Sequence, residues 1–239
     1  MIRKSGHRFS DKIMRKQETM DTIFFDLDGT LTDPKPGITR SMQYALEKLG
    51  RPVPPADELT WCIGPPLRDS LVVLLGGEAE ADRGVALYRE RFGDVGLYEN
   101  SLYPGIAATL AALKPRARLF VATSKAHVFA DRIVDHFGLR SYFEHVFGAE
   151  LDGTRAHKAD LLAFALERTG TDPSRAVMIG DRSHDIVGAK RNGIAGIGVL
   201  YGYGSREELT EAGAAHLCAT PKAIAEHLSA GLPLTRPRL

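Results

Sequence analysis

The sequence predicts an α/β protein, a doubly wound parallel sheet with helices on both faces and a small helical unit inserted after the first strand. Three observations carry this. From residue 105 onward, short apolar runs alternate with stretches of helical periodicity, the pattern of successive βαβ units. Residues 38 to 98 hold helical periodicity alone, with no strand-like run. Ahead of that block stands one apolar run, Ile23-Phe24-Phe25, which ends in Asp26-Leu27-Asp28-Gly29-Thr30.

In chain order, the first strand places Asp26 and Asp28 on one side of the sheet, because alternate side chains share a face, and Gly29 lets the chain turn behind them. A strand followed by an ordinary polar turn has the same sequence, since Asp-Gly is a common turn signal. After Asp33-Pro34-Lys35-Pro36 a helix is expected with Met42, Ala45, Leu46 and Leu49 on one face, stopped by Gly50 and Pro52. Leu67, Leu71, Leu74 and Leu75 mark a second helix, and Val85, Tyr88 and Phe92 a third. Tyr103-Pro104-Gly105 returns the chain to the alternating pattern. Strands are expected around residues 119–122, 146–147, 177–179 and 194–200, and helices over 105–114, 126–137, 158–169 and 184–192. Thr220-Pro221 caps a final helix, with proline suited to its first position.

Composition narrows the function classes. With 239 residues, 44% hydrophobic and 26% charged, the chain can bury one sizeable core and a small second unit. A net charge of +1, with basic residues interspersed among acids, gives no basic face for a nucleic-acid polymer. No apolar run approaches the roughly 20 residues that span a bilayer, and the N-terminus lacks the apolar block of a secretion signal. A cytoplasmic protein without a membrane role is expected. Cys62 and Cys218, far apart, read as reduced thiols. Residues 1–20 are basic and polar, with methionines at 14 and 20, and read as a disordered extension or an upstream start. The expected division is therefore 1–20 extension, 21–34 with 101–232 core, 35–100 inserted helical unit and 233–239 tail.

In open parallel sheets, ligands bind beyond the carboxyl ends of the strands. Those ends carry Asp26 and Asp28, then Thr123 and Ser124, then Gly180-Asp181 with Asp185 four residues on, in the first turn of a helix. Such a crowd of acids repels itself unless a cation neutralises it, and Mg²⁺ binds through a few carboxylates, water and phosphate oxygens. The other reading of Asp181 and Asp185 is that they cap their helix. Lys158, opening the helix after residues 152–157, and Thr123 offer a charge and a hydroxyl suited to phosphate oxygens. A lone lysine at a helix start is also commonly just solvated.

Together these residues resemble the haloacid dehalogenase superfamily of phosphohydrolases. The match runs from about Thr22 to Leu228 with four motifs in the family's order: Asp26-x-Asp28-Gly29-Thr30, Thr123 or Ser124, Lys158, and Gly180-Asp181-x-x-x-Asp185. The resemblance implies a Rossmann-like core, with the helical insertion as that family's cap domain. It also implies that Asp26 attacks phosphorus to give an aspartyl-phosphate while Asp28 acts as acid and then base. Mg²⁺ would be held by the Asp26 carboxylate, the Asp28 carbonyl, Asp181 and Asp185, with Thr123, Ser124 and Lys158 on the phosphate. Dehalogenases of the superfamily lack the second aspartate, so Asp28 points to an oxygen leaving group. Phosphomutases share it but commonly follow Asp-Gly with Val, where this chain has Thr30.

Trp61-Cys62-Ile63-Gly64-Pro65-Pro66-Leu67-Arg68 looks like the family's cap loop facing the site, with Arg68 available to an anionic substrate. Alternatively, Trp61 and Ile63 are cap core and Arg68 is solvated. Lys125 is expected at a helix start just past the second motif, and Arg182 and His184 receive no role. Gly64-Pro65-Pro66, the Leu151-to-Arg155 approach to Lys158 and Gly180-Asp181-Arg182 look closest to a 5′-nucleotidase-like branch adjoining the phosphoglycolate phosphatases. The expectation is a small phosphomonoester, a nucleoside monophosphate first and phosphoglycolate second, cleaved by a monomer or homodimer. A protein-directed phosphatase and a non-catalytic binding module on the same fold are the other readings. The module is expected to have lost the nucleophile or a metal acid, and all are present.

Overall fold

The computed structural model of the chain describes residues 21–230. The expectations for residues 1–20 and 233–239 lie outside the described residues. The eight strands and nine α-helices described are β1 (Asp21–Phe25), β2 (Thr32–Asp33), α1 (Lys35–Lys48), α2 (Leu67–Leu75), α3 (Ala81–Asp94), β3 (Ser101–Leu102), α4 (Ile106–Leu113), β4 (Ala117–Ala126), α5 (His127–His136), β5 (His145–Ala149), α6 (Lys158–Thr169), β6 (Ala176–Gly180), α7 (Ser183–Arg191), β7 (Ala195–Val199), α8 (Arg206–Ala212), β8 (His216–Cys218) and α9 (Pro221–Ala230).

Six strands form one sheet in the order β5-β4-β1-β6-β7-β8, all pairs parallel. The chain builds outward from β1 through β4 and β5, then returns to the other side of β1 for β6, β7 and β8. That reversal makes the gap between β1 and β6 the switch point of a doubly wound sheet, where a crevice opens at the carboxyl ends.

β1 is central and buried on both faces. Ile23 and Phe25 face α4, α5 and α9 together with residues of α1 and α3, while Phe24 faces α6 and α7. Phe24 stacks on Phe120 of β4 with ring centroids 5.5 Å apart, and burying such a ring contributes roughly 2–3 kcal/mol. Alternation carried past the strand end puts Asp26 on Phe24's side, toward the first residue of α6, which is Lys158.

The helical stretch expected after β1 hangs between β2 and β3, a two-stranded antiparallel ribbon pairing Thr32 with Leu102 and Asp33 with Ser101. α1 buries Met42, Ala45 and Leu46 as its spacing predicts, while Leu49 is the residue that ends the helix and is half-buried. α4, α5, α6, α7 and α9 lie where periodicity places them, and the Thr220 hydroxyl accepts from the Ala223 amide at the start of α9. α8 and β8 were not anticipated, because seven and three residues are too short to display a period. Among the described residues no helix is long and apolar enough to cross a membrane.

Candidate active site

The carboxyl ends of β1, β4, β6 and β7 meet at the switch point. Asp26 extends β1 by one more ladder bond, its amide donating to the Ile179 carbonyl at 2.8 Å. Gly29, at φ +80°, turns the chain back so that Thr30 donates its hydroxyl to Asp181 Oδ1 at 3.2 Å. A Cβ at Gly29 would lie 2.2 Å from Asp181 Oδ2, so no other residue fits this turn.

Asp26, Asp181 and Asp185 are buried with ligand oxygens all within 4.8 Å of one another. Lys158 reaches them from α6. Its Nζ donates to the Ala122 carbonyl at 2.7 Å and lies 3.0 Å from Asp26 Oδ1 and 2.8 Å from Asp185 Oδ1. Apart from these ion pairs to Lys158, Asp26 Oδ1 and Asp185 Oδ1 have no partner, and Asp28 Oδ1 is likewise buried without a hydrogen bond. The helix-capping reading is half right. Asp185 Oδ2 accepts from the Arg182 amide at 3.1 Å, while Asp181 caps nothing and takes Thr30 and the Tyr203 amide, the latter at 2.8 Å.

Electrostatically the cluster is short of positive charge. Burial, with Asp185 and Asp26 beside it, holds the Asp181 carboxyl well above the usual carboxylate range. Burial likewise raises Asp185 against the opposing pull of Lys158. Burial disfavours the Lys158 ammonium, yet Asp185 and Asp26 outweigh it and keep Lys158 more basic than usual. An all-oxygen donor set and four buried acids with Lys158 and Lys125 as their ion-pair partners suit a small hard divalent cation such as Mg²⁺.

Asp28 stands apart from the three-acid cluster. Its Oδ2 lies 2.8 Å from Lys125 Nζ, both side chains nearly buried. Burial raises the Asp28 carboxyl and Lys125 pulls it back. Lys125 belongs to the end of β4, within an irregularity between Thr123 and Ala126, and not to the helix start expected for it; α5 begins at His127. Its ammonium also sits 4.3 Å from the centre of the Phe92 ring on α3, which joins the core to the inserted helices. Thr123 is buried and Ser124 half-buried, both facing the same cavity as Asp26 and Asp28.

That cavity, about 600 Å³, lies between the core strand ends and α1–α3, with Gly64, Pro65, Pro66 and Leu67 in its wall. The cap-loop reading holds for these residues, whereas Ile63 is fully buried and Trp61 is exposed. Arg68 lines the cavity, but its charge is not free for a substrate. Nε donates to Asp82, in the first turn of α3, at 2.8 Å and Nη2 to Glu78, just ahead of that helix, at 3.4 Å.

Arg182, given no role from sequence, ties the two parts together. Nη1 donates to the Ile63 carbonyl at 2.5 Å and Nε to Glu208 at 3.0 Å, and Glu208 also accepts from the Ser183 amide. His184 beside it is held less basic than usual, chiefly by partial desolvation. The loop Tyr201-Gly202-Tyr203-Gly204 after β7 was also missed. Tyr201 donates to the Thr30 carbonyl at 3.0 Å, and a Cβ at Gly202 would lie 2.3 Å from Asp181 Cβ. Two glycines beyond the fourth apolar run were the available signal, by the same rule that found the other three strand ends.

The sequence profile described as haloacid dehalogenase-like hydrolase matches residues 23–199. A 5′-nucleotidase of Pseudomonas aeruginosa is 49% identical over 208 residues, 86% of this chain and 94% of that one. The tyrosine-protein kinase PtkA of Mycobacterium tuberculosis is 45% identical over 188 residues, 78% of this chain and 64% of that one. A phosphoglycolate phosphatase of Caulobacter vibrioides is 35% identical over 190 residues, 76% of this chain and 80% of that one. Among solved structures, a predicted phosphatase from Clostridium acetobutylicum superposes with a TM-score of 0.86 at 39% identity, covering 89% of this chain and 99% of that one. The chain belongs to the haloacid dehalogenase-like hydrolases and is a phosphatase of that family.

Proposed function

We propose that the protein is a Mg²⁺-dependent hydrolase of small phosphomonoesters that works through a phosphorylated Asp26, with nucleoside monophosphates the first substrate class and phosphoglycolate the second. The observation that carries this reading is the pair of buried carboxylates, Asp26 and Asp28, facing one cavity with different partners. Asp26 lies beside Lys158 in the acid cluster, placed to attack. Burial favours the proton on Asp28, with Lys125 able to stabilise the carboxylate left behind.

In the first half-reaction Asp26 attacks phosphorus in line and the ester oxygen leaves with the Asp28 proton. In the second, Asp28 takes a proton from water, which displaces Asp26 from phosphorus and releases phosphate. Thr123, Ser124 and Lys158 hold the non-bridging oxygens, fixing the line of attack. Asp26, Asp181, Asp185 and the Asp28 carbonyl would hold Mg²⁺, which when bound supplies positive charge against the phosphoryl oxygens.

Asp28→Asn tests the proton role. Its kcat is expected to fall roughly 10²- to 10⁴-fold on an alkyl phosphate, whose leaving alkoxide needs a proton, and by much less on p-nitrophenyl phosphate. Equal losses on both would remove Asp28 from that step.

The substrate class rests on kinship with the 5′-nucleotidase and on a cavity of nucleotide size roofed by the inserted helices. The same roof favours a small molecule over the protein acceptor in the mycobacterial relative's name. Phosphate release from a broad panel of phosphometabolites tests the reading, with AMP, UMP and phosphoglycolate compared by kcat/KM. Highest kcat/KM on the nucleotides is expected, a strong preference for phosphoglycolate would reverse the order, and inactivity on all three would refute both classes.

A further inference from the structure

The cavity wall carries three long cations, Arg68, Arg89 and Lys125, and two are already matched. Arg68 is bound to Asp82 and Glu78, and Lys125 to Asp28. Arg89, on α3, faces no carboxylate or carbonyl among the described residues. Its side chain is half-buried, and its Nε is shielded from solvent with nothing accepting from it. Partial burial makes its guanidinium easier to deprotonate than usual, against an opposing pull from Tyr88.

An arrangement like this costs stability in the empty protein, because a desolvated donor with no acceptor forfeits its hydration. The cavity it lines also carries the apolar side chains of Ile38, Met42, Val85, Phe92 and Phe129, and the acids Asp69, Glu150 and Asp152. In such a cavity a single unmatched polar group fixes the orientation of what enters. The phosphate end is supplied by the core, so an unmatched cation on the roof meets the other end of the molecule.

We propose that Arg89 is the residue by which the inserted helices select their substrate, its guanidinium donating to an acceptor oxygen on the leaving alcohol, a ring carbonyl or a carboxylate remote from the phosphate. This rests on the phosphomonoesterase reading above and adds to it the residue and the chemistry of selection. Uracil offers ring carbonyl oxygens, whereas adenine offers none; phosphoglycolate offers a carboxylate, whereas ethyl phosphate offers none. The discriminating comparisons are therefore UMP against AMP, whose base accepts through ring nitrogens but carries no carbonyl oxygen, and phosphoglycolate against ethyl phosphate, since the members of each pair differ in whether they offer an acceptor oxygen at that end.

The experiment measures kcat/KM on these four substrates, and Tm, for the full chain and its Arg89→Met and Arg89→Lys variants. In the parent the acceptor-bearing member of at least one pair is expected to lead by roughly 10- to 100-fold, the range of a charge-assisted hydrogen bond. A lead confined to the first pair identifies a ring carbonyl, and one confined to the second a carboxylate. In Arg89→Met that lead collapses through KM, in Arg89→Lys it partly returns, and the Tm of Arg89→Met equals or exceeds the parent's because methionine needs no partner. A ratio unchanged in Arg89→Met overturns the assignment of Arg89 while the hydrolase reading stands. An equal loss on all four substrates with a lowered Tm overturns it in favour of a structural role. Inactivity of the parent on all four overturns the hydrolase reading and this inference with it.

Discussion

Asp26→Asn is expected to lower kcat by on the order of 10⁵-fold on every phosphomonoester, with circular dichroism and Tm close to those of the parent. The loss is large because the amide is a poor nucleophile toward phosphorus and the rest of the site has nothing to put in its place. Asp28 is held by Lys125, and Asp181 has both oxygens engaged by Thr30 and Tyr203. Folding should survive, because the amide is nearly isosteric and the Asp26 backbone bond to Ile179 is untouched. Acid quench of the parent during turnover of ³²P-labelled substrate should trap label on Asp26, and Asp26→Asn should trap none. Retained turnover in Asp26→Asn, free of contaminating phosphatase, would remove Asp26 from the chemistry.

Chelation is expected to produce an effect of similar size. EDTA should silence the enzyme, Mg²⁺ restore it and Ca²⁺ inhibit it, because the looser calcium shell misplaces the attacking carboxylate. A second readout needs no turnover. At about 100 times its dissociation constant Mg²⁺ adds about 2.7 kcal/mol, which for a chain of this size raises Tm by roughly 5–10 °C. The pH dependence has a definite sign. Asp181 and Asp185 have raised pKa values in the folded protein, that of Asp185 about 6. Their contribution to metal-free stability is therefore complete below the ordinary carboxylate range and lost as pH rises through the raised values. Protons compete with Mg²⁺ for these oxygens, so the Mg²⁺-induced rise in Tm should be larger at pH 7.5 than at pH 5.5. Asp181→Asn should abolish most of that rise. Full activity after chelation, or a rise independent of pH, would count against the site.

Much of this architecture was legible because it follows from periodicity. α6 begins and ends where Leu161, Leu162, Ala165 and Leu166 require, and the strand-end rule located Asp26, Thr123 and Asp181 without coordinates. What stayed hidden depends on three-dimensional pairing. The cap-loop resemblance singled out Arg68 and gave no sign of Arg89, and only the fold shows that Asp82 and Glu78 pair with the first and leave the second alone. Lys125 was placed on the wrong element because the irregularity after Thr123 extends β4 by residues that carry no strand signal. Arg182 acts across 119 residues of sequence, on the Ile63 carbonyl, a separation no local pattern reports.

The ribbon of β2 and β3 has an evolutionary consequence. Because Asp33 pairs directly with Ser101, the chain leaves the sheet and re-enters it at a single point, and everything between can be lengthened, shortened or exchanged without altering the register of β1, β4 and β6. Nucleophile, proton donor and acid cluster are inherited on one side of that point, and the wall that inspects the substrate on the other. Chemistry and choice of substrate can then diverge at different speeds, and a chimera spliced at Asp33 and Ser101 should keep this chain's reaction while taking its donor's preferences.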